Sequence, residues 1–128
     1  MIKTLNHIAI ISSTEESINF YKELGFNEVD RLNRGYDSIV YLFGVDLMLE
    51  IYLDASHPPR VDRPEAMGLR HMAFTVDSIE DTIKHLKVCT LNSEQIREDE
   101  RKKYLFIKDP DGLPIELCEI KKGKNEYV

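Results

Sequence analysis

Cysteine is scarce in this sequence: Cys89 and Cys118 are the only two in 128 residues, and they form no C-x-x-C pair. That excludes a disulfide scaffold and a closed cysteine-ligated zinc site, and no disulfide is expected in a reducing compartment. Long apolar runs are missing as well. No stretch approaches the roughly 20 residues of a membrane span, and MIKTLNHIAIISS breaks its short apolar segment with a histidine, unlike a secretory signal. A cytoplasmic protein with no membrane partner is expected. Basic runs stop at RKK, and a formal charge of −6 repels phosphate backbones, so no nucleic acid partner is expected. No phosphate-binding glycine loop, dinucleotide fingerprint or nucleophile elbow is present. Low-complexity tracts are absent too, and 42% apolar with 31% charged residues is ordinary globular composition. The length suits one domain, 1–128.

What the chain does have is a repeat. LNHIAI at 5–10 returns as LRHMAF at 69–74, and each copy opens a similar succession of patterns. TLNHIAIISS alternates as a strand does, and STEESINFYKELGF changes to helical spacing. There Ser13 and Glu16 are spaced as a capping box, Ile18, Tyr21 and Leu24 form a stripe, and Gly25 stands where a helix ends. FNEVDRL, DSIVYLF and LMLEIYL follow as strands, separated by NRGY and GVD. A proline-rich connector then leads into LRHMAFTV, a helix capped at Ser78 with Ile79, Ile83 and Leu86 inward, and the strands SEQIREDE, KKYLFIKD and LPIELCEI. DPDG joins the last two as a type I turn. The expected fold is α+β: two βαβββ modules, at about 3–53 and 69–121 with a connector at 54–68, the helices outside.

Within a strand, alternate side chains share a face. His7 goes with Leu5 and Ala9, His71 with Leu69 and Ala73, opposite Ile8, Ile10, Met72 and Phe74, which would pack under the helices. The last strand of each module carries a carboxylate, Glu50 and Glu116, at nearly equal separations from the two histidines. Any one of these four side chains, taken singly, reads as an ordinary hydrogen-bonded group. Their repetition points to a divalent cation, because ionised glutamates in semi-apolar strands need a counter-charge. Imidazole with carboxylate suits nickel, zinc, iron, cobalt or manganese, and four protein ligands leave octahedral positions open for a small-molecule substrate. Elsewhere, His57 and His85 are expected in solvent, and Cys118, although on the face of Glu116, reads as a small buried thiol. Arg97, Arg101 and Lys102 are candidates to meet an anionic substrate.

With this pattern in place, the chain resembles the vicinal oxygen chelate superfamily, which includes glyoxalase I, bleomycin resistance proteins, extradiol dioxygenases and methylmalonyl-CoA epimerase. The resemblance runs from LNHIAI through FYKELGF and GLRHMAF to DPDGLPIEL, and PEAMGLRH with IREDE is similar to a bacterial glyoxalase-I-like subgroup. It implies a curled mixed sheet around a metal held by His7, Glu50, His71 and Glu116, nickel or zinc first among the ions. It implies a lyase or isomerase that stabilises an enediolate-like anion, with Glu116 as the catalytic base. A homodimer is also implied, since members differ in whether one chain supplies a whole site. Extradiol dioxygenase, epimerase and a binding protein that sequesters an antibiotic are the alternatives.

Overall fold

The structure is a computed structural model that describes residues 1–86, 96–125 and 127. Its contacts divide the chain into two compact units, Met1–Pro59 and Arg60–Val128. Unit 1 holds β1 (Ile8–Ser12), α1 (Glu16–Glu23), β2 (Asn27–Asn33), β3 (Ser38–Gly44) and β4 (Leu47–Leu53). Unit 2 holds β5 (Met72–Thr75), α2 (Ile79–His85), β6 (Arg97–Glu98), β7 (Lys102–Lys108) and β8 (Pro114–Ile120). The expected α+β pattern of two βαβββ units is what forms. Each unit has one open four-stranded sheet, ordered β1-β4-β3-β2 and β5-β8-β7-β6. The first and last strands of each unit pair in parallel, and the remaining pairs are antiparallel.

Alternation decides which face of each sheet is covered. In unit 1, Val40, Leu42, Leu49 and Ile51 are fully buried, as are Ile18, Phe20 and Tyr21 of α1, which packs against β3. In unit 2, Leu105, Ile107, Ile115 and Leu117 are buried with Ile79 and Leu86, and α2 packs against β7 and β8. Covering each such side chain contributes about 1.5–3 kcal/mol, which fixes the register: a slip of one residue would turn the whole row outward. Ile10 and Met72 lie in these cores as expected, leaving the opposite faces to the glutamates.

Turn chemistry follows the sequence closely in three places. Gly25 ends α1 at φ 111°, and Ser78 Oγ accepts from the Asp81 amide at the start of α2. In DPDG, the Gly112 amide donates to the Asp109 carbonyl, while Asp109 Oδ1 accepts from the amides of Asp111 and Leu113. The β3–β4 turn is tighter, with Val45 and Asp46 both at positive φ, the geometry of a two-residue hairpin. Gly44 beside it is fixed by proximity: a Cβ there would stand 2.6 Å from the Gly25 carbonyl oxygen.

Three expectations need correction. The Ser13–Glu16 capping box does not cap α1; the N-cap is Glu15, without a side-chain cap bond, and Thr14 Oγ1 accepts from the Glu16 amide. His7 and His71 each stand one residue ahead of their strand rather than inside it. The SEQIREDE strand is only Arg97–Glu98, its first part (93–95) lying outside the described residues along with Cys89.

Candidate functional site

The parallel pairing of first and last strands builds the same small constellation twice. Ala9 lies opposite Glu50, and Ala73 lies opposite Glu116. Each histidine precedes that alanine by two positions, so in each unit the imidazole and the carboxylate emerge on the face the helix leaves uncovered. His7 Nδ1 is 3.1 Å from Glu50 Oε2, and His71 Nε2 is 3.9 Å from Glu116 Oε2. Each unit therefore brings its own histidine and glutamate together. Among the described residues, no group of three or more His, Cys, Asp or Glu side chains is placed so as to hold a metal ion.

Around Glu50 the partners are polar and light. Tyr52, two residues on and so on the same face, donates its hydroxyl to Glu50 Oε1 at 3.3 Å. Burial, together with the adjacent Glu50 charge, moves the Tyr52 phenol above its ordinary pKa. Two oxygens face His7 Nδ1, from Glu50 and from Asn6 at 2.7 Å. That arrangement favours the proton on Nδ1 and leaves the Nε2 lone pair available, the state a metal ligand needs.

Around Glu116 the surroundings are denser and carry charge. Its side chain is buried, yet the Lys102 ammonium reaches Oε1 at 3.3 Å and the Cys118 thiol donates to Oε2 at 3.2 Å. Burial works against the Lys102 charge, but Glu116 and the neighbouring acidic groups outweigh it and raise the lysine pKa. Burial pushes the Cys118 thiol up to about 11, with the Glu116 carboxylate acting in the same direction. It is a buried thiol, as expected, and one that serves as a donor. His71 meets the edge of Phe106, ring centroids 5.1 Å apart at 89°. Glu116, Lys102 and Cys118 line a cavity of about 320 Å³ with Ala73, Phe74 and Thr75.

Of the three basic candidates, Lys102 meets a protein carboxylate, Arg97 lines a second cavity beside His71, and Arg101 borders a separate depression with Glu100, Lys124 and Asn125. His57 and His85 are exposed. Asn6, Tyr52 and Phe106 were not anticipated. Alternation would have found Tyr52, since it stands to Glu50 as Cys118 stands to Glu116. Phe106 needs the β7–β8 register, which places it opposite Glu116.

The donor chemistry fits a divalent ion of the nickel, zinc or manganese kind. Each unit offers one imidazole and one carboxylate within a few ångströms. The Lys102 ammonium already stands as a cation beside Glu116, 3.3 Å from Oε1.

Residues 4–117 match the model of the Glyoxalase/Bleomycin resistance protein/Dioxygenase superfamily. The crystal structure of a glyoxalase family protein from Enterococcus faecalis is 38% identical, with a TM-score of 0.80 over 91% of this chain and 98% of that one. Glyoxylase I 4 of Arabidopsis thaliana is 29% identical over 91% of this chain and 71% of its own length. A variant of the fosfomycin resistance protein FosX from Listeria monocytogenes, complexed with Mn(II) and 1S,2S-dihydroxypropylphosphonic acid, shares the fold. It is 17% identical, with a TM-score of 0.75 over 95% of this chain and 96% of that one.

Proposed function

Because the chain belongs to the Glyoxalase/Bleomycin resistance protein/Dioxygenase superfamily, we propose that it is a metal-dependent enzyme of the glyoxalase I type. It acts on a small oxygenated substrate by moving a proton at carbon. The observation that carries this reading is the twice-built pair, His7 with Glu50 and His71 with Glu116, in the same strand register. Those four side chains are the ligand set, assembled within one chain or between the modules of a homodimer. The exposed apolar side chains Ile11, Leu32 and Phe43, on the same face of sheet 1 as Glu50, favour the dimer. Within the superfamily, FosX is a manganese-bound example and Glyoxylase I 4 bears the name of the lyase.

A bound divalent ion supplies Lewis acidity, which stabilises the anion left when a proton departs from a carbon beside a carbonyl. The remaining work belongs to the protein. Glu116 takes the proton at a carboxylate oxygen and returns it to the neighbouring carbon. Lys102 and Cys118, which hold the two oxygens of Glu116, fix the direction in which its lone pairs point. Glu50 and Asn6 orient the His7 ring. With an ion bound, the carboxylate at position 50 would serve as a fourth protein ligand and so would favour proton transfer over dioxygenase chemistry. The pairing of Lys102 with Glu116 favours a second reading, a binding protein in which the ammonium replaces the ion.

Metal analysis of protein purified without a histidine tag separates the two. About one equivalent of nickel, zinc or manganese is expected per site, with most of it lost in His71→Ala. Full metal content in that variant, or none in the native protein, overturns the metal site. Methylglyoxal offered with several thiols then tests the lyase, and turnover with none of them removes the lyase; silence with catechols and acyl-CoA esters as well moves the chain toward the binding reading.

A further inference from the structure

Resting on the reading of His71 as a metal ligand, we propose that unit 2 carries an anion subsite beside it. The substrate is accordingly a small organic acid whose carboxylate or phosphoryl end sits there. The subsite is the second cavity, of about 340 Å³, with His71 and Phe106 in its wall. That volume suits a small molecule rather than a polymer.

Its charge is the reverse of the chain's. The whole sequence carries −6, yet this one cavity gathers Arg63, Arg70, Arg97 and Lys108 against Asp62 and Glu65. The acidic pair does not neutralise the set. Glu65 holds Arg70 at 3.0 Å, and Asp62 stands 4.0 Å from Lys108, beyond hydrogen-bond length. Arg63 has no ion-pair partner among the described residues. A guanidinium presents a planar fork of donors, matched to the paired oxygens of a carboxylate or a phosphoryl group.

The cavity is also tied in place. The Arg60 guanidinium donates to the carbonyls of Leu69 and Arg70 at 3.1 and 3.0 Å, so the connector is fastened to the chain leading into His71. Asp62 and Glu65 pair as an isolated antiparallel bridge, which sets the turn bearing Arg63. Opposite them, Arg97 sits on β6 and Lys108 ends β7, both anchored by ladder pairing. A substrate bridging this cavity and His71 would place its anionic end on the arginines and its neighbouring oxygens at the metal ligand. That geometry selects 2-oxo or 2-hydroxy acids and phosphonates over neutral aldehydes.

The subsite can be tested without metal. Full-length, chelator-treated protein is titrated calorimetrically with inorganic phosphate and, separately, with glycolate, at low and high salt. Saturable binding of at least one anion is expected, weakening as salt rises, and the tighter of the two identifies the headgroup. Arg63→Met should weaken it about 10-fold. Asp62→Asn, which removes a negative charge from the same wall, should tighten it about 3-fold. Lys122→Met, on an exposed turn outside the cavity, should leave it unchanged. Failure of both anions to bind, or binding indifferent to Arg63→Met and Asp62→Asn, overturns the subsite. Metal content, measured on untreated protein from the same preparation, keeps the two readings apart. Metal without anion binding removes only the subsite, and anion binding without metal removes only the metal reading.

Discussion

The two units share strand order, parallel pairing and a His–Glu pair at equivalent places, but they surround the glutamate differently. Glu50 is met by a tyrosine hydroxyl and its own histidine, both light hydrogen-bonding partners. Glu116 is met by an ammonium and a buried thiol, with its histidine farther off. A duplicated scaffold fixes where a carboxylate stands. What it does there depends on the side chains two positions along the strand and on the neighbouring strand. Unit 1 thus presents a carboxylate suited to holding a ring in place, and unit 2 presents one that an adjacent ammonium and thiol hold in a fixed direction.

Exchanging charge for amide at the two glutamates breaks this comparison most directly. Glu116→Gln should lower turnover by about 10²–10⁴-fold, the usual contribution of a positioned general base, with the fold intact by circular dichroism. Glu50→Gln should act mainly on metal content, measured by elemental analysis, and less on turnover per bound metal. Equal losses per bound metal in the two variants would mean that the units do not divide the labour.

The next largest effect concerns packing. Unit 1 closes β3 to β4 through a two-residue turn against the α1–β2 junction, whereas unit 2 uses the longer Asp109–Leu113 turn, held by the Asp109 carboxylate. Gly44→Ala forces a Cβ against the Gly25 carbonyl and the Phe26 backbone, and should cost about 1–3 kcal/mol in urea unfolding. Gly112→Ala meets open space and carries only the penalty of positive φ, so it should cost less.

Smaller again is the effect of the ammonium. Lys102→Met removes a like charge from beside the proposed ligand Glu116, and metal affinity by calorimetry should rise about 10-fold. Unit 1 has no such competitor at Glu50 among the described residues, so Tyr52→Phe should move metal affinity much less. An unchanged affinity in Lys102→Met would show that the lysine vacates Glu116 without cost.

Most of the fold was readable because its signals are local. Period-two rows such as LMLEIYL, the glycine after α1, the Ser78 cap and the DPDG turn each determine a few neighbouring residues, and all appear in the structure. The pairing of each histidine with its glutamate was legible as well, because the repeat shows which positions correspond. What escaped depends on register across strands. Nothing near Lys102 in sequence points to Glu116; the β7–β8 ladder, pairing Lys102 with Ile120 and Phe106 with Glu116, brings them together. The basic cavity escaped for the same reason, since Arg63 and Arg70 belong to the connector while Arg97 and Lys108 come from the later hairpin. The failed Ser13–Glu16 cap shows the opposite limit: a correct local spacing lost to Thr14, which reaches the first free amide instead.

The smallest expected effect separates the units under acid. In unit 1, Asp37 is held below the ordinary carboxylate range by its bond to Arg34, Glu28 by Arg31, and Asp54 by Ser56. In unit 2, Glu80 is lowered by its own amide and Lys103, and Asp99 by the amides of Arg101 and Lys102. A carboxylate with a depressed folded pKa binds protons less readily in the folded state than in the unfolded chain. The stability it contributes is complete above the unfolded value, near about 4, and drains as pH falls below that toward the folded value. Both units should therefore loosen below about pH 4, by modest amounts because these pairs lie close to solvent. The Arg34–Asp37 pair lies at the β2–β3 turn, so Asp37→Asn should flatten the acid loss of amide protection in β2 and β3 while β7 and β8 keep their native pH dependence. Hydrogen exchange read residue by residue at pH 6 and pH 3 measures this directly. Identical acid slopes for β2 and β3 in Asp37→Asn and the native chain would remove that pair from the account of unit 1.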